Sequence, residues 1–187
     1  MTTPDQLRAI ALTEFSNAGF AGTSLQRIAE VAGVSKSAVL YHYASKEALL
    51  EAAIGPAIDQ MGGILESFAA EPITAASRAA FIERFVDFLL AHRLEVHTFI
   101  NQGRSLEDVP VIGRANALVA RLAQFFSTSV ATVEDRMRFG IALGGAAYLL
   151  ATMESLPIEL VPYDELRSNL ISIMGELLAP VRLDPQD

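Results

Sequence analysis

Apolar residues recur along this chain at intervals of three and four, never in sustained alternation with polar ones, and that period predicts helices throughout. Thr3-Pro4-Asp5-Gln6 supplies a cap, a first-turn proline and a capping-box glutamine, so a first helix opens there. Leu7, Ile10, Ala11 and Phe15 face inward along it, and Gly19 ends it. Thr23 is expected to cap a second helix, with Gln26 returning a bond to the cap amide. Leu25, Ile28, Ala29 and Ala32 make its apolar stripe, Arg27 and Glu30 face water, and Gly33 sits where a left-handed residue stops a helix. Val34 returns to the core and Ser35 caps a third helix, which carries Lys36, Tyr41 and His42. Ser45 caps a longer one that begins at Lys46.

That fourth helix is expected to run through Leu49, Leu50 and Ala53 to Gly55-Pro56. Proline lacks a donor and crowds the preceding turn, so a kink or break is expected there, then continuation to about Phe68. Glu71-Pro72 marks a loop. Further helices are predicted over 74–92, 94–103, 109–128, 132–155 and 163–179, divided by signals such as Glu107-Asp108-Val109-Pro110 and the stretch from Pro157 to Pro162. The fold class is all-α: an N-terminal three-helix domain over 1–46, joined to a larger helical domain over 47–187.

Composition narrows what such a chain can do. Its 187 residues can bury a substantial core, and a hydrophobic share of 51% suits an extensive subunit interface. The absence of cysteine excludes disulfides and thiolate metal sites. The first ten residues lack the basic and apolar regions of a signal peptide. The longest uncharged apolar run, Phe139 to Met153, falls short of the ~20 residues that span a bilayer, so a cytoplasmic protein without membrane contact is expected. No Gly-rich phosphate loop, nucleophile motif or metal-ligand cluster occurs, and His92 and His97 are five apart rather than four. Glu134-Asp135 suits a helix's first turn better than acid–base work. No enzyme, catalytic residue, metal or cofactor is therefore expected.

The net charge of −8 is unevenly spread. Residues 1–50 balance Arg8, Arg27, Lys36 and Lys46 against Asp5, Glu14, Glu30 and Glu47, and the remainder carries the whole excess. An acidic body would leave the N-terminal segment, which holds both lysines, as the face that approaches a polyanion. Two short helices joined by Gly33-Val34-Ser35 are the sequence form of a helix-turn-helix, whose second helix lies in the major groove of DNA.

From about Leu7 to Leu50 the chain resembles the N-terminal domain of the tetracycline-repressor (TetR) family of transcriptional regulators. The matching pieces are Ala11 and Phe15 before Gly19-Phe20, then Thr23-Ser24, Ile28-Ala29, Ala32-Gly33-Val34-Ser35-Lys36, and Tyr41-His42-Tyr43 before Ser45-Lys46. The resemblance implies a homodimer that binds double-stranded DNA at a pseudo-palindromic operator. It also implies a divergent C-terminal domain for dimerisation and ligand binding. Lys36, Tyr41 and Lys46 are expected on the phosphate backbone, and Ser37, Ala38 and His42 at base edges. Gln26 would reach a base or cap its helix; Thr23, Arg27 and Leu40 complete the DNA-facing set. Two departures stand out. Leu40 occupies a position where the family commonly has an aromatic residue, so that phosphate contact is either missing or moved to Tyr41, and Ala38 replaces a hydroxyl but can still meet a thymine methyl.

The C-terminal part offers an interface and a pocket. In RMRFGIALGGAAYLLATM, three helical glycines need a packing reason, since each costs ~1 kcal/mol relative to alanine. Gly140, Gly144, Ala147 and Ala151, with Leu166, Leu170, Ile173 and Leu177 of the last helix, are the expected dimer interface, a four-helix bundle by resemblance; a close contact inside one subunit is the alternative. Phe81, Phe85, Phe88 and Leu89 form an apolar stripe on which His97, Asn101, Gln102, Asn116 and Tyr148 could converge. Phe85, Phe88, His97, Asn101, Asn116 and Tyr148 are the ligand candidates, although such residues equally suit a plain helical core. The function expected is a repressor released from its operator by a small apolar effector. The alternative is a helix-turn-helix protein that acts through protein partners without one, and a chance motif in an unrelated helical protein is the third reading.

Overall fold

The computed structural model describes residues 3–130, 132–153 and 161–181, and the expected positions of Glu154 and Pro157 lie outside them. The described residues form an all-α fold: α1 (Pro4–Gly22), α2 (Leu25–Ala32), α3 (Lys36–His42), α4 (Lys46–Ala69), α5 (Ala75–Ala91), α6 (Arg93–Gln102), α7 (Pro110–Ser129), α8 (Val133–Phe139), α9 (Gly145–Thr152) and α10 (Tyr163–Leu178). A 3-10 turn, Gly103–Leu106, follows α6, and a π-helical stretch, Gly140–Gly144, joins α8 to α9. The chain divides into two compact units, Met1–Asp59 with Leu94–Ala115, and Gln60–Arg93 with Asn116–Asp187. The first unit thus extends past residue 46 along α4 and takes in most of α6 and the start of α7.

Local chemistry sets the helix starts. Thr3 and Gln6 form the expected capping box on α1, Ser35 Oγ accepts from Ala38 N–H, and Ser45 Oγ accepts from Ala48 N–H at 3.0 Å. The cap of α2 is one residue later than expected: Ser24, not Thr23, accepts from Arg27 N–H, and Gln26 reaches Glu30 at 2.9 Å instead of closing a box. Gly33 ends α2 at φ 68°, the left-handed conformation that turns the chain into α3.

In the first unit, Leu7, Ala11, Phe15, Ile28, Val39, Leu49 and Ile112 meet in one buried core. Tyr43 at the end of α3 donates its phenol to the Pro4 carbonyl, which closes the bundle, and burial pushes that phenol's pKa above its usual range. Gly19 interrupts α1 with φ 76° and ψ 158°, a conformation essentially confined to glycine. A non-helical residue at that point removes the bond from Phe20 N–H to the carbonyl four residues back. Side chains from elsewhere take over. Gln102 Oε1 accepts from Phe20 N–H at 2.7 Å, while Lys46 Nζ donates to the Phe20 and Thr23 carbonyls at 2.7 and 2.9 Å and lies 4.2 Å from the centre of the Phe20 ring.

The helix from Lys46 continues without a break through Pro56 to Ala69. Its flanking turns are bracketed by Arg114 of α7, which pairs with Glu51 and, at 2.5 Å, with Asp59. Gly55 lies between those carboxylates along the helix, and a Cβ there would stand 3.3 Å from Glu51 Oε1 and 3.6 Å from Arg114 Nη1. The glycine beside the proline thus makes room for an ion pair.

The second unit has an aromatic interior. Phe81 stacks on Phe68 and Phe85, and Phe139 stacks on Phe126 with ring centres 4.0 Å apart. Arg167 of α10 grips Asp87 of α5 through two bonds of 2.6 and 2.9 Å. The Arg167 hydrogen bond holds the Asp87 carboxyl below the usual carboxylate range. Its contribution to stability is therefore present above the unfolded pKa and is lost as pH falls through the folded one.

The bonds of Lys46 generate a prediction about stability. Lys46→Met keeps the aliphatic stem but leaves two carbonyls without their donor, so it should destabilise the isolated protein by about 1–3 kcal/mol in urea unfolding. An unchanged midpoint and slope would mean that the ammonium does not hold the α1–α2 junction.

Candidate nucleic-acid interface

The tripeptide Gly33-Val34-Ser35 is too short to let α2 and α3 lie side by side, and Val39, fully buried, anchors α3 to the core. The outer side of α3 is left bare: Lys36, Ser37, Leu40, Tyr41 and His42 are exposed, Tyr41 to 86%. Gln26 and Arg27 of α2 are exposed as well. Tyr41 and His42 meet edge to face with ring centres 5.1 Å apart, and the Ser37 hydroxyl lies 2.9 Å from that of Ser35. Ala38 is half-buried.

Electrostatics separates the cations of this region. Arg8 pairs with Asp5 at 2.6 Å, Arg27 with Glu14 at 2.9 Å, and Lys46 is spent on carbonyls. Among the described residues of 1–50, Lys36 is the one lysine or arginine without a hydrogen-bond or ion-pair partner. It is the first residue of α3 and is exposed.

Two members of the expected DNA-facing set belong elsewhere. Thr23 is 2% exposed, and its hydroxyl donates to the Glu14 and Gly19 carbonyls, so it serves the α1 break rather than a surface. Lys46 is half-buried with its ammonium directed inward, so its expected place on the DNA backbone gives way to the α1–α2 junction. One feature accounts for both: the interruption at Gly19 opens carbonyls that attract donors, and a helix-breaking glycine does not announce which side chains will answer it.

The expected ligand candidates fall in both units. Phe85 and Phe88 are core residues of the second unit, Phe85 stacked on Phe81 and Phe88 against His92. His97 and Asn101 bond to each other at 3.1 Å in the first unit. Asn116 is exposed, and Tyr148 is 61% exposed on the glycine-bearing side of α9. Gln102 holds α1.

That glycine-bearing side is open. Val133, Met137, Ile141 and Tyr148 project from it, each at least 60% exposed, and Gly140, Gly144 and Gly145 are exposed with nothing within 4 Å of an added Cβ. Among the described residues, no close contact inside the subunit accounts for these glycines. Ile173 of α10 is exposed too, and Ala147, Leu166 and Leu177 are half-buried, whereas Ala151 and Leu170 are buried in the subunit and leave the expected interface. A π-helical stretch, Gly140–Gly144, lies within this run. No described helix is long and apolar enough to cross a membrane, and no described cluster of His, Cys, Asp and Glu could hold a metal.

Comparison with known proteins agrees with this geometry. The sequence model for bacterial regulatory proteins of the tetR family matches residues 7–53. The HTH-type transcriptional regulator RutR of Escherichia coli K12 is 48% identical over 58 residues, 31% of this chain and 27% of RutR. RaaS, an HTH-type transcriptional regulatory protein of Mycobacterium tuberculosis, is 31% identical over 99 residues, covering 53% of this chain and 41% of RaaS. The matched segment thus spans about a quarter of RutR's length. Among solved structures, the ketosteroid transcriptional regulator KstR2 of M. tuberculosis has a TM-score of 0.72 at 13% identity, over 97% of this chain and 95% of its own, a likeness of fold. A TetR-family regulator from Streptomyces coelicolor A3 is 26% identical with a TM-score of 0.71, over 95% of this chain and 91% of that one. Residues 7–53 thus match the tetR family of bacterial regulatory proteins in sequence, and over nearly its whole length the chain has the fold of a TetR-family regulator.

Proposed function

We propose that this chain is a DNA-binding transcriptional regulator of the cytoplasm that binds a pseudo-palindromic operator as a homodimer. On this reading it is a repressor, and a small apolar effector releases it. The observation that carries the DNA-binding part is the outer side of α3, where an unpartnered Lys36, Ser37, Leu40, Tyr41 and His42 lie together over a fully buried Val39. A lysine at the start of a recognition helix suits a phosphate, and the phenol of Tyr41 can donate to another. Ser37, Ala38 and His42 are left for base edges, with Leu40 an apolar neighbour for a thymine methyl. Gln26 and Arg27 can reach the flanking backbone, Arg27 by leaving Glu14 for a phosphate.

Dimerisation is supported by the open apolar side of α8 and α9, where Gly140, Gly144 and Gly145 would let a second backbone approach and Ile173 would add to the contact. Two recognition helices would then sit about one turn of DNA apart, ~34–36 Å. The aromatic interior of the second unit supports an apolar rather than a charged effector. The second reading, action through protein partners with no small molecule, draws on a specific observation: Phe85 and Phe88 already pack as core, and His97 and Asn101 satisfy each other.

Selection of bound sequences from random duplexes tests the proposal as a whole. With the selected duplex, Lys36→Met should weaken binding to all sequences alike and flatten the slope of log K against log salt by about one unit. A lost preference for the selected duplex with an unchanged slope would remove Lys36 from the phosphate backbone. Gly144→Leu tests the assembly. One subunit has room for the larger side chain, so its fold should hold while a second copy is kept away. Sedimentation should show monomers, and a dimer mass with full DNA affinity would place the interface elsewhere.

A further inference from the structure

The carboxamide of Gln102 ties together two positions of α1 from a helix more than eighty residues away. Its Oε1 accepts from Phe20 N–H at 2.7 Å and its Nε2 donates to the Phe15 carbonyl at 2.7 Å, so the orientation of the amide is fixed by its partners. Phe15 and Phe20 stand on either side of Gly19, whose φ of 76° breaks the helix. The bond pair therefore bridges the break. Leu94, Thr98 and Gln102 recur every fourth residue on α6, and all three meet α1: the Ser16 hydroxyl lies 3.1 Å from that of the fully buried Thr98 and 3.5 Å from the Leu94 carbonyl.

The Phe20 backbone is consequently held from two directions. Gln102 of α6 takes its N–H, and Lys46 at the start of α4 takes its carbonyl. The same lysine takes the carbonyl of Thr23, two residues before α2 begins. A displacement of Phe20 would thus pass to α2, and through its packing to α3. We propose that Gln102 is a positioning residue for DNA recognition, which closes the break in α1 and fixes the junction that sets the aim of α3. This rests on the DNA-binding reading above. The site requires one donor and one acceptor on a single planar group: a carboxylate would face the Phe15 carbonyl with like charge, and an apolar side chain would leave both backbone groups unmet.

Gln102→Glu separates positioning from mere support, because protonation of the acid restores a donor beside the acceptor. The duplex selected by the unaltered protein is the probe. The variant should bind it about tenfold more weakly than the unaltered protein near pH ~8. It should approach equal affinity as pH falls towards ~5.5, because burial raises the carboxyl's pKa. Taking the ratio to the unaltered protein at each pH removes the general gain in DNA affinity on acidification. A ratio near one throughout, or a deficit that does not shrink with acid, overturns the proposal. Gln102→Met, of similar volume, supplies a reading independent of DNA and of the variant acid's folding. Hydrogen exchange at Phe20 N–H should quicken about tenfold while Val39 and Leu49 keep their protection. Unchanged exchange at Phe20, or equal acceleration at all three, overturns the bridging role. If the unaltered protein selects no duplex, the DNA-binding reading fails instead, and the exchange result still decides whether Gln102 closes the break.

Discussion

Everything in the first unit is arranged around a helix that stops short. Gly19 takes a conformation that other residues avoid, and α1 cannot continue its own hydrogen-bond ladder through it. An uncovered N–H and several carbonyls, half out of water, would cost more than a folded domain can spare, given that each buried unmet group costs about 1–3 kcal/mol. Thr23, Lys46 and Gln102 meet that demand from three other parts of the sequence. The break is therefore the point at which α1, α2, α4 and α6 are joined by polar bonds, while Leu7, Phe15, Ile28 and Leu49 join them by apolar contact. An apolar core tolerates small slides; a residue held by its N–H and its carbonyl does not. That difference is what a recognition helix needs, since base-edge hydrogen bonds tolerate little displacement.

The second unit solves a different problem. Its interior holds stacked phenylalanines, and its α8–α9 side keeps glycines that no other described part of the subunit approaches closely. Helical glycine lowers stability, so an open row of them beside exposed Met137, Ile141 and Tyr148 is physically reasonable only against a second surface. The proposed homodimer supplies that surface. The Arg114 bracket across Gly55 and Pro56 shows how the first unit treats a proline inside a helix: the missing backbone bond is accompanied by paired charges on either side.

The helices were legible because their signals are local. Thr3 with Gln6, Ser35, Ser45 and Gly33 each act within four residues, and each holds the place expected of it. The motif was legible for the same reason, as caps and a left-handed glycine at fixed spacing. The one local error, Thr23 for Ser24, arose from two adjacent hydroxyls, either of which could cap α2. Side-chain assignments that depend on distant partners were less legible. Nothing in the neighbourhood of Lys46 indicates that its ammonium turns towards Phe20, and nothing around Gln102 points to a break in a helix that ended eighty residues earlier. On α8 and α9 the sequence period alone did not separate exposed Tyr148 from buried Ala151. An ion pair with Asp87 was equally invisible from Arg167 alone.

The outer side of α3 is the surface proposed to meet DNA. Cross-saturation from the selected duplex to the protein's amides measures that contact directly. Attenuation should concentrate at Lys36, Ser37, Leu40, Tyr41 and His42, reach Gln26 and Arg27, and spare Thr23 and the amides of α8 and α9. Attenuation centred on α8–α9 or α10, with α3 untouched, would contradict it.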